Sequence, residues 1–573
     1  MSPTMSDVSA THGTHTDVTV DADVSGDPPA ASADSSRETE GHDATTHERL
    51  LGALFSPRAL ALGTTQRDRF WSWVGPGLVA LLAALLRLVD LGHPRTLVFD
   101  ETYYVKGAYS LLTLGYEADW PDDSNESFES GNTSVHLDTG DYVVHPQVGK
   151  WMIALGMRLA GTDSSWAWRL APAILGVIAV FLLARTARRI FGSTALGVVV
   201  GGLFAIDGAA IVHARTGLLD NVLMFWVLVA FACLVADRSW ARRRLADRAA
   251  VAIDADGGLG RFGPSLGWRW WRFAAALALG LACGTKWSGL YFVAVFGLMS
   301  VAWDAGARRS IGVRSWALAA LVKDALPAVI VVLPTVLLTY VASWWAWFAN
   351  PESYDRTWWE LNPGTYPSWL PDALVGWGEA LRSLWTYHTS MWRFHTGLTS
   401  DHTYEANPWG WLLQLRPTSF YWRKTVLGED GCTADECARA VTSIGNPLIW
   451  WVGTAALLYA LFALLVRRDW RAGAVLSGVV AGWVPWLFIA ERTIFTFYSI
   501  AFAPWVYLAV GYLVAVGWER LGDDEHSRRQ GRWATGVLLA IFVAVSAFFY
   551  PIWTGMQVPY GFWQVHMWLD SWR

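Results

Sequence analysis

Runs of roughly twenty mainly apolar residues recur between residues 73 and 551, and they constrain the fold of this chain more than any other feature. A helix of that length crosses the roughly 30 Å hydrocarbon layer of a bilayer. The runs predict about eleven membrane spans, at residues 73–91, 166–184, 194–212, 218–236, 270–284, 287–303, 324–347, 446–466, 472–490, 496–517 and 533–551. The apolar stretch 146–160 is shorter and contains glycine, which favours an interfacial or re-entrant helix.

The composition agrees with a polytopic membrane protein. Of 573 residues, 53% are hydrophobic and 16% are charged, whereas soluble domains carry about 25% charged residues. The 38 tryptophans fit membrane–water interfaces and sugar-stacking sites. The net charge of −5 gives no support for a nucleic-acid partner.

The first 68 residues depart from this pattern. The segment 1–48 is rich in Thr, Asp, Ser and Ala and has no aromatic residue. Such a segment buries too little apolar area to offset its ordering entropy. We therefore expect residues 1–68 to form a disordered cytoplasmic tail.

Arginine-rich loops alternate with weakly basic ones between the predicted spans. The basic loops lie at residues 185–189, 237–248, 308–323, 467–471 and 519–532. Because basic loops stay in the cytoplasm, the alternation predicts the N-terminus inside and the C-terminus outside. It also predicts two large outer loops, at residues 93–145 and 350–445.

The second large outer loop contains Cys432 and Cys437, and the oxidising outer side allows a disulfide between them. The sequence has no CxxC pair, no HExxH and no histidine-rich tract, so no metal-ligand cluster and no cofactor is predicted. A weakly bound divalent cation shared by two carboxylates stays open. Walker A and GxSxG sequences are missing too, which argues against a nucleotide-driven pump and a serine hydrolase.

Two adjacent carboxylates, Asp100 and Glu101, follow the first predicted span at its outer edge. A carboxylate that is partly desolvated has a raised pKa and can serve as a general base. The same pair could also simply open a helix, because acidic side chains favour a helix N-terminus.

Charged residues occupy every short outer turn of the predicted topology. The basic ones are Arg169, Arg215, Lys286 and Arg492, and His145 and Lys150 close the first outer loop. As a cluster they suit a lipid-linked phosphate at the outer leaflet. Each one alone could instead be a helix-end side chain that reaches to the membrane surface.

Several short motifs occur in one order along the chain: Phe99-Asp-Glu101, His145-Pro…Gly-Lys150, Trp168-Arg-Leu-Ala-Pro172, Gly284-Thr-Lys-Trp-Ser-Gly289, His402-Thr-Tyr-Glu-Ala-Asn-Pro-Trp409 and Tyr550-Pro-Ile-Trp-Thr-Gly555. With them the sequence resembles the protein O-mannosyltransferases, the polyprenyl- or dolichyl-phosphate-mannose–protein mannosyltransferases of the GT-C class, and their actinobacterial branch in particular. The resemblance covers about residues 70–573.

The resemblance implies an all-α polytopic GT-C fold in the plasma membrane, with residues 69–573 as a catalytic domain whose active site faces outside. Mannose would pass, with inversion, from a polyprenyl-phosphate-mannose lipid to Ser or Thr hydroxyls of secreted or membrane proteins, also during translocation. By the family pattern Asp100 is the base, Glu101 positions acceptor or sugar, and Arg169 is an arginine needed for activity. Candidate acceptor or sugar contacts are Asp220, His402, Asn407 and Trp409.

The sequence departs from the family pattern at two places, and two other functions are alternatives. The second outer loop, about 95 residues long, is too short and Trp-rich for the soluble MIR domain of eukaryotic members, and Gln147 and Val148 stand where the family usually has Pro and Leu. A GT-C enzyme acting on a lipid or cell-wall glycan would need the same donor site. A lipid-linked sugar transporter would show inverted repeats, and the sequence shows no internal repeat.

Overall fold

Twenty-two α-helices and one three-stranded sheet make up the part of the chain that the computed structural model describes, which is residues 44–162, 164–521 and 524–573. The helices are α1 (Thr46–Leu54), α2 (Pro57–Leu60), α3 (Gln66–Leu88), α4 (Glu101–Thr113), α5 (Asn125–Glu129), α6 (Val148–Ala160), α7 (Ser165–Phe191), α8 (Thr194–Ile206), α9 (Gly208–Ala214), α10 (Leu219–Asp256), α11 (Trp270–Cys283), α12 (Gly289–Ser310), α13 (Trp316–Ala320), α14 (Leu326–Ala342), α15 (Trp345–Ala349), α16 (Trp358–Leu361), α17 (Asp372–Gly397), α18 (Pro447–Arg467), α19 (Trp470–Gly482), α20 (Ala503–Arg520), α21 (Glu525–Thr554) and α22 (Tyr560–Gln564). A π-helical turn, Leu321–Ala325, joins α13 to α14.

Among the described residues, seven helical segments are long and apolar enough to cross a membrane. They are α3, α7, α10, α12, the continuous segment Trp316–Ala342, α18 and α21. The pair α8–α9, bent by 63°, forms an eighth if it is one span. The three other predicted spans fall on α11, on α19, which stops before Pro485, and on α20. The helical membrane architecture is therefore present, while eleven spans and the orientation of the termini stay predictions.

The longest helix, α10, forms the centre of the membrane bundle. Its most apolar stretch is 83% buried, and it packs against α7, α11 and α12. The Trp316–Ala342 segment lies at the periphery, with only 11% of its apolar stretch buried. An apolar helix left this exposed by its neighbours fits contact with lipid. The predicted interfacial stretch 146–160 contains α6, which packs on α4 and α7.

Residues 45–68 are folded, so the prediction of a disordered tail up to residue 68 is wrong for this part. Thr45 and Glu48 form a capping box that starts α1. Leu50 and Leu54, four residues apart on one helix face, are buried in a cluster with Ala246 of α10. Two leucines at helical spacing thus supply the apolar area that the composition of the segment does not suggest. The same prediction for residues 1–43 lies outside the described residues.

A small antiparallel sheet lies beside the first outer loop. Its strands are β1 (Thr418–Val426), β2 (Glu436–Ser443) and β3 (Gln557–Pro559), in the order β1-β2-β3. A disulfide joins Cys432 to Cys437 where β1 turns into β2. Phe420 of β1 stacks on Phe99 with ring centroids 4.8 Å apart. The sheet therefore supports the residue that immediately precedes Asp100.

Candidate active site

Asp100 lies at the start of α4, on a tight turn after α3. Phe99 adopts a left-handed backbone conformation with φ of 49°, which is uncommon for a residue with a side chain. Its ring is held between Phe420, stacked at 4.8 Å, and Phe497, edge-on at 5.4 Å. The aromatic packing fixes the turn, so Asp100, a residue that keeps some exposed surface, has a defined position.

Asp100 faces polar groups that come from distant parts of the chain. The Tyr104 hydroxyl, one helical turn away, lies within hydrogen-bonding reach of its carboxylate. Lys286 and Asp220 lie close enough to influence it, and they form a buried ion pair of 2.8 Å between Nζ and Oδ2. The Lys286 ammonium also lies 5.2 Å from the ring centroid of Tyr498.

The environment of Asp100 raises the pKa of its carboxyl group to about 6. The main cause is lost hydration, and the negative charge of Asp220 adds to it, while Lys286 and Tyr104 favour the ionised form. A pKa near the working pH is what a general base requires. Within the part of the chain that is described, no three His, Cys, Asp or Glu side chains gather as metal ligands.

Glu101 has no exposed surface, and its carboxylate is fully used within the protein. Arg169 Nε donates to one oxygen at 2.8 Å and Nη2 donates to the other at 2.7 Å. The backbone N–H groups of Val98 and Gly217 donate to the same two oxygens at 2.9 and 2.7 Å. The lone pairs of Glu101 are all occupied inside the fold. Its role in positioning acceptor or sugar stays a prediction, and it would act through the loop that Glu101 holds.

Arg169 is also occupied by partners within the protein, and its role as a phosphate ligand stays a prediction. Besides Glu101, it donates to the carbonyl oxygens of Pro94 at 2.7 Å and Thr96 at 3.0 Å. Its side chain is as buried as that of Glu101. The pair joins α7 to the loop before Asp100, so Arg169 acts on the site by positioning that loop.

Two other predicted phosphate ligands are engaged in the same way. Arg215 donates to the carbonyl oxygens of Arg87, Val89 and Asp90 at 2.9, 2.7 and 2.6 Å. Arg215 thus supplies hydrogen-bond donors to the carbonyl oxygens at the C-terminal end of α3, which lack partners within the helix. The structure places Arg215 in the scaffold and not among groups open to a ligand.

Lys150 forms a buried ion pair with Glu117 and donates to the His145 carbonyl oxygen at 3.1 Å. Gln147, which departs from the family motif, donates its amide Nε2 to Glu117 at 3.0 Å. The glutamine thus gives Glu117 a second partner. Lys150 thus helps to hold the end of the first outer loop together, and its contact with a donor phosphate stays a prediction.

Arg492 and two histidines form the cationic and polar side of the site. His395 Nε2 donates to the Val144 carbonyl oxygen at 2.7 Å, so its Nδ1 is free to accept from Arg492 Nη2 at 3.1 Å. The ring of His395 stacks on that of His145 at 5.2 Å. Arg492 is partly exposed, and its Nε has no hydrogen-bond partner among the described residues. Of the predicted basic residues, Arg492 is therefore best placed to bind an anion.

Burial lowers the pKa of both histidines. The pKa of His145 falls well below its usual value because the ring is desolvated and faces Lys286 and other cations. The pKa of His395 falls to about 4, also mainly through desolvation, although its bond to Val144 opposes the shift. Both rings are therefore neutral at neutral pH and add no positive charge to the site.

The remaining predicted contacts divide between the site and its surroundings. His402 is exposed and packs edge-on against Phe495 at 4.9 Å and Phe99 at 6.4 Å, which places it beside the catalytic turn. Asn407 instead accepts from the Trp409 backbone N–H at 3.1 Å and caps a short 3₁₀ helix. Trp409 packs on Trp483 at 6.1 Å. Both residues are exposed, and their contact with acceptor or sugar stays a prediction.

Sequence reasoning missed three residues of the site: Tyr104, His395 and Tyr498. Tyr104 lies three residues from Glu101, and its spacing from Asp100 on α4 could have indicated that it faces the same side. His395 and Tyr498 are 295 and 398 positions away from Asp100 by residue number. No local motif marks them.

The chain matches two family models. Residues 136–350 match the dolichyl-phosphate-mannose-protein mannosyltransferase model, and residues 380–572 match the C-terminal four-transmembrane region of protein O-mannosyltransferase. A protein of Mycolicibacterium smegmatis named polyprenol-phosphate-mannose–protein mannosyltransferase is 36% identical over 88% of this chain and 94% of its own. The chain belongs to the protein O-mannosyltransferase family.

Other members of the protein O-mannosyltransferase family agree with this. A Corynebacterium glutamicum protein with the same name is 31% identical over 88% of this chain and 93% of its own. The solved Saccharomyces cerevisiae protein O-mannosyltransferase Pmt1–Pmt2 complex, bound to the sugar donor, superposes with a TM-score of 0.60. At 16% identity, it covers 90% of this chain and 94% of its own. The predicted GT-C fold is confirmed.

Proposed function

We propose that this protein transfers mannose from polyprenyl-phosphate mannose to Ser or Thr hydroxyls of proteins, with inversion at the anomeric carbon. The contrast between two adjacent carboxylates carries the proposal. Glu101 is buried and saturated, whereas Asp100 is partly exposed and has a pKa of about 6. The names of the relatives support the class of donor and acceptor.

In the proposed reaction, Asp100 takes the proton of the acceptor hydroxyl as the hydroxyl oxygen attacks the anomeric carbon. The bond from that carbon to the phosphate oxygen breaks, and polyprenyl phosphate leaves with the electron pair. Phosphate is a good leaving group, so no acid has to protonate it. Arg492 and Lys286 stabilise the negative charge that grows on it. A single displacement inverts the anomeric centre.

The site is proposed to face outward at the plasma membrane. Asp220 lies in the first turn of α10, next to Asp100. Arg242, Arg243 and Arg244 follow more than twenty residues further along the same helix. At 1.5 Å per residue this is roughly 33 Å, about the thickness of the hydrocarbon layer. The arginine-rich end of α10 and the site therefore belong to opposite sides, and arginine-rich loops stay in the cytoplasm.

The experiment that tests the acceptor uses the purified full chain in lipid vesicles with labelled polyprenyl-phosphate mannose and a Ser/Thr-rich peptide. We expect the label in the peptide. The matched control is the same peptide with alanine at each Ser and Thr, which should stay unlabelled. Label that enters only the lipid extract, or only an added cell-wall glycan, would favour a GT-C enzyme with another acceptor.

Arg492→Ala is expected to raise the KM for the lipid donor by about ten- to hundred-fold, since charge-assisted hydrogen bonds contribute about 1.5–3 kcal/mol. Steady-state kinetics at varied donor concentration check this. Arg393→Ala, which removes an exposed arginine of α17, serves as the control and should keep the original KM. An unchanged donor KM in Arg492→Ala would contradict the assignment.

The pKa of Asp100 predicts the acid limb of the pH profile. A general base works only when it is ionised, so kcat should be full above about pH 7 and fall as the pH drops through about 6. Below that point we expect about a ten-fold loss per pH unit. A profile of kcat between about pH 4.5 and 8 measures the limb, with vesicle integrity checked at each pH. A midpoint near 4, the value of an ordinary carboxyl group, would contradict the assignment.

A further inference from the structure

The helix α17 carries an exposed apolar stripe. Leu374, Trp377, Leu381, Trp385 and Trp392 are each between 45% and 72% exposed. At 100° per residue, Leu381, Trp385 and Trp392 point within about 20° of the direction of Leu374, and Trp377 within about 60°. These five residues, called here the Trp–Leu stripe, thus form a narrow band along more than four turns of one helix.

The neighbouring face of α17, about 80–140° around the helix from Leu374, packs on the protein. Ala380, Leu384, Tyr387 and Met391 are buried there. The Tyr387 hydroxyl accepts from the Val143 N–H at 3.0 Å and donates to the Val143 carbonyl oxygen at 2.7 Å. The helix is therefore firmly attached to the first outer loop, and the exposure of the Trp–Leu stripe is a fixed feature of the fold.

The middle of α17 lies at the ends of two candidate membrane spans. The His388 ring nitrogen Nε2 bonds to the Tyr340 hydroxyl at 2.6 Å, and its ring stacks on Trp287 at 5.7 Å. Tyr340 belongs to the last turn of α14, and Trp287 precedes the first residue of α12 by two positions. His388 thus lies at the level where both spans leave the membrane.

Both halves of α17 lie at the same depth, the level at which α12 and α14 leave the membrane. Trp377 contacts Phe348 at 5.4 Å, six residues beyond the end of α14. His395 forms a hydrogen bond with Arg492. Arg492 lies in residues 483–502, which connect the predicted spans α19 and α20. These contacts are separated by eighteen residues of helix, or roughly 27 Å. Because these contacts are to segments that connect candidate or predicted spans, they indicate that α17 runs along the membrane surface and not away from it.

We propose that α17 is an interfacial helix whose Trp–Leu stripe binds the phospholipid surface. Three of its five residues are tryptophans, which favour the headgroup region, and an amphipathic helix at this level buries its apolar face by about 5–10 Å. The adjoining peripheral span α14 also exposes Leu333, Leu337 and Leu338. An apolar surface therefore continues from α14 to α17, as expected if lipid covers both.

The proposed contact has a consequence for the site. α17 carries His395, which binds both the Val144 carbonyl oxygen and Arg492. Anchoring the helix in the headgroup region would keep Arg492 at the depth where a lipid-linked phosphate lies. This inference stands apart from the reaction proposed above, since it depends only on where α17 lies.

Spin labels on the full-length chain in phosphatidylcholine–phosphatidylglycerol vesicles test the proposal. Cys233 and Cys283 are replaced by alanine, and one cysteine is introduced as Leu381→Cys, Trp385→Cys or Trp392→Cys. At each position we expect collisions of the nitroxide with oxygen, which is enriched in lipid, to exceed those with a water-soluble nickel complex. The control Arg393→Cys, on the flank of the same turn, should show the reverse.

Three labelled positions, together with a thermal unfolding measurement on each variant, keep the test valid if one variant does not fold. Nickel collisions that exceed oxygen collisions along the Trp–Leu stripe would overturn the proposal, because the stripe would then face water. Protection from both reagents, with dipolar broadening between labels on two chains, would overturn it in favour of a second copy of the chain.

Discussion

Asp100→Asn is expected to lower mannosyl transfer by roughly 10²–10⁴-fold, the usual contribution of a general base. Asparagine keeps the size of the side chain and can still accept from Tyr104, but it cannot take the proton of the acceptor hydroxyl. Since the substitution removes a carboxylate whose pKa is raised by desolvation, it should not weaken the fold. Single-turnover rates with saturating donor and peptide measure the effect on the chemical step.

Asp401→Asn is the matched control for this prediction, because Asp401 is an exposed carboxylate in the second large outer loop. It should transfer mannose at the original rate. If Asp100→Asn also stays fully active, with normal expression and unfolding temperature, Asp100 is an ordinary helix start. The catalytic base would then have to be sought elsewhere, with Asp220, whose charge acts on Asp100, as the first candidate.

Arg169→Ala should destabilise the protein by about 3–5 kcal/mol, because removal of one partner leaves the other charge buried and unpaired. The orphaned group would be Glu101, which has no exposed surface. The carbonyl oxygens of Pro94 and Thr96 would lose their donors as well. The loop that presents Asp100 would then shift, so turnover should fall together with stability.

Thermal unfolding and donor kinetics together separate this positioning role from phosphate binding. We expect a lower unfolding temperature and a lower kcat, with a donor KM that changes little. Arg169→Lys should recover only part of the loss, because lysine cannot donate in the bidentate geometry. Arg158→Ala removes an exposed arginine from α6 and should leave both quantities unchanged. Normal stability with a raised donor KM would show that Arg169 binds the phosphate after all.

The sequence points to the Asp100–Glu101 pair, and the family pattern gives the two carboxylates different roles, but the physical reason for that difference lies in the tertiary structure. Asp100 and Glu101 are adjacent and chemically alike, and only tertiary partners separate them: Arg169 and the Gly217 N–H saturate one, while the other stays partly exposed. The same holds for the basic residues. The hydrophobic pattern predicts that these basic residues lie at the outer ends of the spans. Whether a guanidinium group donates to carbonyl oxygens, as that of Arg215 does, depends on the backbone geometry, which the pattern does not predict.

The sequence also predicts the general fold but not its details. Apolar runs identify the bundle, because a span has to be about twenty residues long, but they do not show that α19 stops before Pro485. The short helix α1 was missed for the opposite reason. Two leucines, Leu50 and Leu54, do not change the composition of the segment noticeably. They are nevertheless enough to attach α1, because α10 provides an apolar surface on which they are buried.

The four hydrogen bonds of Glu101 also tie three separate parts of the chain into one unit. One carboxylate connects the loop after α3, through Val98, with α7, through Arg169, and with the turn before α10, through Gly217. A side chain at Gly217 would bring its Cβ to 2.9 Å from Val105, so this junction is tightly closed. These three elements cannot separate without breaking it. Any movement of the loop that presents Asp100 must therefore carry α7 and the turn before α10 with it, or break these hydrogen bonds.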